Sequence, residues 1–147
     1  MANVKNINKI ISKINSINPN NMIMRALETD SDHGCKTAAC ITGWTCITFK
    51  RGTSFDIAAE LLEINEDNAA RLFYLDSYED KATIERTRDA LKTIGGRDPL
   101  FHGGYDYDVL NIFDSLPAER RQRITIKVLE HLRDTNEVDW AKAIQEA

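Results

Sequence analysis

The sequence predicts an all-α fold: a single compact domain, residues 1–147, of seven or eight helices with one glycine-rich loop at about 95–108. Three observations carry this reading. Apolar residues recur at three- and four-residue spacing along most of the chain. Period-2 alternation, the mark of a half-buried strand, never lasts beyond four residues. Helix-stopping pairs, Asn18-Pro19 and Gly95-Gly96 among them, break the helical pattern into pieces of ordinary length. The length is near the mode for one domain, and the chain has no internal repeat, low-complexity tract or linker.

The elements follow in order. Val4, Ile7, Ile10, Ile11, Ile14 and Ile17 line one face of a first helix, with Asn, Lys and Ser turned to water. A short piece, Met22 to Leu27, leads into the polar stretch ETDSDHG. Thr37 to Phe49 reads as a second helix burying Cys40, Ile41, Trp44 and either Ile47 or Phe49. Ser54 is placed to cap a helix holding Ala58, Leu61 and Leu62, and Asn65 to cap one holding Ala69, Leu72 and Phe73. Lys81 to Ile94 is charged, with Ile84, Leu91 and Ile94 as its apolar stripe, and Gly95-Gly96 ends it as a C-terminal glycine cap. Val109 to Phe113 is a short helix. Ser115-Leu116-Pro117 opens a long one with Ile124, Val128, Leu129 and Leu132 inward. Asp139 caps a last turn that inserts Trp140 and Ile144.

Composition narrows the function classes. Hydrophobic residues make up 42% and charged residues 29%, the balance of a soluble globular domain. Net charge is −4, which disfavours direct DNA binding, because that affinity comes from neutralising phosphates with Lys and Arg. The N-terminus lacks the continuous apolar core of a signal peptide, and no segment holds the roughly 18 apolar residues of a membrane span. With three cysteines, an odd number, the expectation is a cytoplasmic protein with free thiols and no membrane association.

Asp32 to Cys46, DHGCKTAACITGWTC, concentrates the chemistry: all three cysteines, His33 and Trp44. A zinc site would need His33, Cys35, Cys40 and Cys46. Their His-x-Cys-x4-Cys-x5-Cys spacing is not that of paired knuckles, and Cys40 and Cys46 are about 600° apart on a helix. The expectation is no metal, with Cys40 and Cys46 as buried small apolar residues. Cys35, just ahead of a helix start, is placed for a lowered thiol pKa. His102, with Asp98 and Asp106 nearby, would be its base in a cysteine-dependent enzyme. The chain is short for a papain-like fold, however, and lacks its sheet.

The segment CKTAACITGW resembles the Cys-Gly-Thr-x-x-Cys-Ile-Ala-Gly-Trp helix of a group of small bacterial and phage proteins, uncharacterised in activity. The matching residues are Cys35, Thr37, Cys40, Ile41, Gly43 and Trp44. Ala58 to Ile64, Leu72-Phe73 and the stretch from Val128 to the Val138-Asp139-Trp140 ending continue the likeness. Lys36 replaces the group's glycine and Thr42 its alanine. The resemblance implies a context, a phage or mobile-element accessory protein, and no activity.

Two further patterns carry functional alternatives. Phe55 to Phe73 has the cadence of a helix-turn-helix, but its recognition helix would present Glu66 and Asp67 to phosphates, and Glu63 stands where the turn usually has glycine. It reads as a packed helical hairpin. The loop from Gly95 to Asp108, with Arg97, His102, Tyr105 and Tyr107, could together with the Cys35 segment bind or sequester a small nucleotide-like ligand. The run Glu119 to Arg123 reads as a solvated helical face, and His131 as a boundary residue. The leading expectation is a cytoplasmic accessory protein without catalysis or cofactor. It would bind and inhibit a host protein, such as a host enzyme or a defence component. Asp32, His33, Cys35, Lys36, Thr37, Arg97, His102 and Tyr105 are the candidate ligand or partner residues.

Overall fold

A computed structural model describes residues 1–22, 40–52, 54–73, 80–97 and 108–147. Those residues form eight α-helices and no strand: α1 Val4–Ser16, α2 Ile41–Thr48, α3 Phe55–Leu62, α4 Glu66–Phe73, α5 Lys81–Thr93, α6 Asp108–Asp114, α7 Ala118–Thr135 and α8 Trp140–Glu146. A 3-10 turn, Pro19–Asn21, follows α1. The all-α expectation holds.

Local chemistry sets most of the boundaries. Asn3 accepts from the Asn6 N–H to start α1. Asn65 accepts from the Asn68 N–H to start α4. Asp80 accepts from the Ala82 N–H and Asp139 from the Lys142 N–H, starting α5 and α8. Each satisfies one of the orphan donors of a first turn. Ser54 precedes α3, but its side chain makes no capping bond. Gly95, at φ +103°, closes α5. The Gly96 N–H bonds the Leu91 carbonyl at 2.8 Å and the Gly95 N–H the Lys92 carbonyl at 3.1 Å, the paired bonds of a Schellman turn.

Neighbouring helices pack in the spatial order α6, α5, α8, α7, α1, α2, α3, α4. Long α7 fills the middle, with Ile124, Val128, Leu129 and Leu132 fully buried against Ile7, Ile10 and Ile14 of α1 and Trp140 and Ile144 of α8. Phe113 meets the Trp140 ring edge-on at 5.9 Å, joining α6 to α8. Helix α2 is the exception to amphipathic design. Ile41 through Cys46 are buried without a break, as befits a segment packed on every face, and only the half-buried Ile47 and Thr48 at its end approach the surface. Its helical assignment begins at Ile41. The expected start at Thr37 lies outside the described residues.

The expectation for Glu119 to Arg123 is corrected. Arg121 and Gln122 are half-buried and serve as clamps. The Arg121 guanidinium donates to the carbonyls of Met22 (2.9 Å), Asp114 (3.2 Å) and Leu116 (2.7 Å). Gln122 donates to the carbonyls of Ile14 and Ile17. These carbonyls stand at helix ends and in the turns beyond them, where the regular helical donors run out; only that of Ile14 also accepts a backbone N–H, from Ile17 at 3.4 Å. Arg120 also reaches the Ile94 carbonyl at 3.5 Å. Glu119 and Arg123 are the exposed members of the run.

Candidate functional site: the cationic face of the first helix

Of the residues singled out by sequence, Asp32, His33, Cys35, Lys36, Thr37, His102 and Tyr105 lie outside the described residues. Arg97 is described: it is exposed, and its backbone N–H donates to Ser115 Oγ at 2.9 Å. That bond closes the turn after α5 and leaves the side chain in solvent.

Cys40 and Cys46 are free and buried. Cys40 stands at the N-cap of α2. Burial pushes its thiol above the ordinary value, only partly opposed by the backbone N–H groups of Gly43 and Thr42. A helix start can activate a thiol, but desolvation wins here and the thiol stays protonated at neutral pH. Cys46 Sγ donates to the Ser54 carbonyl at 3.5 Å. Both are packed thiols, as expected. The described residues contain no group of three or more His, Cys, Asp or Glu side chains placed to hold a metal ion.

Helices α3 and α4 realise the helix-turn-helix cadence as local geometry. Glu63 adopts φ +54°, the left-handed conformation that a glycine would supply. The Ile64 N–H bonds the Ala59 carbonyl at 3.2 Å and the Glu63 N–H bonds the Glu60 carbonyl at 3.1 Å. The missing glycine therefore did not prevent the turn. The exposed residues of this unit are Asp56, Glu60, Glu63, Asn65, Glu66, Asp67 and Arg71. Five of the seven are acidic.

Opposite in sign is a face that the sequence reading passed over. Lys5, Asn8, Lys9, Ser12 and Lys13 lie at three- and four-residue spacing on α1, turned away from buried Ile7, Ile10 and Ile14. Lys9 Nζ lies 5.7 Å from the centre of the Phe49 ring and Lys13 Nζ 6.0 Å from that of Trp44. The ring faces hold these ammonium groups without neutralising them. Because Lys9 meets Phe49 and Lys13 meets the earlier Trp44, α2 runs antiparallel to α1. Lys50 and Arg51 follow Phe49 and extend the cationic surface at that end.

Asn8, Lys9, Ser12, Lys13 and Thr48 line an open groove of about 510 Å3 between the two helices. Trp44 lies beneath Lys13: it is 5% exposed, with its indole N–H donating to the Asn21 carbonyl at 3.2 Å. At the edge toward α7, Arg133 donates to Asn8 Oδ1 at 3.0 Å and pairs with Asp134 at 2.8 Å. That bond holds the Asp134 carboxyl below the usual carboxylate range, so the neighbouring acid is already occupied. Residues 1–27 contain Lys5, Lys9, Lys13 and Arg25 and no Asp or Glu. This was the available signal. Lysine on a helix face ordinarily reads as solvation, so it drew no notice.

A second cleft, about 410 Å3, lies between α4, the start of α5 and the turn before α8. Three of its charged groups already have structural work: Arg86 pairs with Asp139 at 3.4 Å, and Asp80 and Asp139 cap helices. Arg71 and Glu137, of opposite sign, complete its charged lining. No helix among the described residues is long and apolar enough to cross a membrane. Compared with protein-family models, curated proteins and solved structures, the chain matches none of them.

Proposed function

We propose that this chain is an accessory protein of a phage or mobile element that binds a protein of the host cytoplasm and inhibits it. The target would be a host enzyme or a defence component. The observation that carries the binding reading is the α1 face: cationic, exposed except for the half-buried Lys13, free of carboxylates and backed by two aromatic rings. An ordinary solvated helix intersperses opposite charges one turn apart. Here the polar residues of α1 are Lys, Asn and Ser throughout. Clustered charge of one sign steers and registers a complementary partner more than it stabilises a fold. The context comes from the likeness of CKTAACITGW to small bacterial and phage proteins.

The test is site-specific photocrosslinking in host cytosol. A photoreactive residue at Ser12, in the α1 groove, should give an adduct with one host polypeptide. The same residue at Gln145, in a groove of similar volume between α5 and α8, serves as the control. The Ser12 adduct should disappear in the K5E/K9E/K13E variant. Equal, diffuse labelling from both positions would contradict the reading.

A further inference from the structure

We propose that the α1 groove receives an acidic polypeptide segment, a stretch of the partner rich in Asp and Glu and seated along α1 against the end of α2. This rests on the partner-binding reading above and names the chemistry of the contact.

Charge complementarity is the first argument. Lys5, Lys9, Lys13, Lys50 and Arg51 form no ion pair with any described carboxylate. Hydrogen bonding is the second. The Asn8 amide accepts from Arg133 and keeps its N–H donors, while the Ser12 hydroxyl has no intramolecular partner among the described residues. Carboxylates accept from both donor types. Asn8, Lys9, Ser12 and Lys13 follow one another along a groove whose accessible lining is otherwise largely apolar, as suits an amphipathic segment with carboxylates at one-turn spacing.

The size of the patch separates a peptide from a nucleic acid. Thirteen residues of α1 span about 20 Å, close to four turns of a docked helix. The patch also has an acidic border. At the start of α1, the Asn3 side chain bonds the Glu63 carboxylate and the Asn3 N–H bonds the Leu62 carbonyl. Beyond that point α3, the turn after it and α4 carry Asp56, Glu60, Glu63, Glu66 and Asp67. A duplex carries a charge every ~1.7 Å along its axis and would run from the lysines into these carboxylates. A short acidic segment stops before reaching them.

Fluorescence anisotropy on the full chain tests the assignment. The probes are a labelled Glu-rich amphipathic peptide of about four turns, the same peptide with Gln for Glu, and a thymidine oligonucleotide of equal charge. The Glu peptide should bind at low salt, weaken steeply as salt is added, and exceed both other probes. The K9E/K13E variant should lose at least about tenfold in affinity, while Glu85→Gln, in the groove between α5 and α8, changes nothing. Tighter binding of the oligonucleotide would overturn the proposal in favour of phosphate recognition. Equal binding of the Glu and Gln peptides, or no binding of either, would overturn it as well. If the Ser12 crosslink to a host protein survives such a failure, the partner-binding reading stands and only the acidic-segment assignment falls.

Discussion

The indole N–H of Trp140 donates to the backbone carbonyl of Arg71 at 2.7 Å, linking residues 69 positions apart. Arg71 lies in the last turn of α4, where carbonyls have no helical donor. Trp140 opens α8 and is fully buried. One side chain therefore fills the core between α6 and α8 and also closes the end of a distant helix. Trp140→Phe keeps the aromatic packing on Phe113 and orphans the carbonyl. It should destabilise the fold by about 1–3 kcal/mol. Trp140→Ala should cost roughly 3–5 kcal/mol. Urea unfolding of both variants gives the ordering, and a Phe variant as damaging as Ala would show that the hydrogen bond dominates the packing.

Three glycines should respond differently to alanine. At Gly96 a Cβ would stand 2.6 Å from Ile112 Cγ2 and 2.8 Å from the Leu91 carbonyl oxygen. That carbonyl accepts the Gly96 N–H and cannot withdraw without losing the turn. Gly96→Ala should cost about 1–3 kcal/mol through overpacking. Gly95→Ala meets open space but a strained φ of +103°, and should cost roughly 1–2 kcal/mol. Gly52→Ala meets nothing within 4 Å and should stay within about 0.5 kcal/mol of the parent. Melting temperatures in the order Gly52→Ala, Gly95→Ala, Gly96→Ala from highest to lowest would bear this out.

Arg121 joins the 3-10 turn after α1 to the segment between α6 and α7 through three carbonyl bonds. Removing it leaves several acceptors unsatisfied at once. Arg121→Ala should destabilise by roughly 2–4 kcal/mol, and Arg121→Lys should recover only part of that, because an ammonium lacks the planar fork that reaches separated acceptors. Full rescue by Lys, measured by chemical denaturation, would mean that charge alone matters at this position.

The buried thiol of Cys40 sets an alkaline limit. Cys40 is held protonated by burial, so its folded pKa lies above its unfolded value. Below the unfolded value, about 8.5, both states carry the proton and stability is unaffected. Above it the unfolded thiol ionises first, and stability falls as pH rises through the folded pKa. Thermal melts from pH 7 upward should show this decline, and Cys40→Ala should flatten it. In the native state at neutral pH, no more than one of the three thiols, that of Cys35, should react with an aromatic disulfide reagent. Reaction of two or more would contradict the packed positions of Cys40 and Cys46.

The sequence made the regular parts legible because their causes are local. The isoleucine stripe of α1, the caps at Asn65 and Asp139 and the glycine stop after α5 each follow from neighbours within a turn. The roles of Arg121 and Gln122 were not legible. Their acceptors lie up to 99 and 108 positions away, so the run reads locally as a solvated charged face. Glu63 shows a different gap. A left-handed turn favours glycine, yet paired backbone bonds and the contact with Asn3 hold a glutamate there at a cost of about 1 kcal/mol. The α1 face was written in the sequence as an absence of acids.

Lysine footprinting tests the central claim most directly. The chain is acetylated briefly in buffer and in host cytosol, and the extent at each lysine is read by mass spectrometry. Lys5, Lys9 and Lys13 should be protected in cytosol relative to buffer, while exposed Lys81 and Lys142, on α5 and α8, remain equally reactive in both. Full reactivity of the three α1 lysines in cytosol, or protection confined to Lys81 and Lys142, would contradict the assignment of this face to a partner.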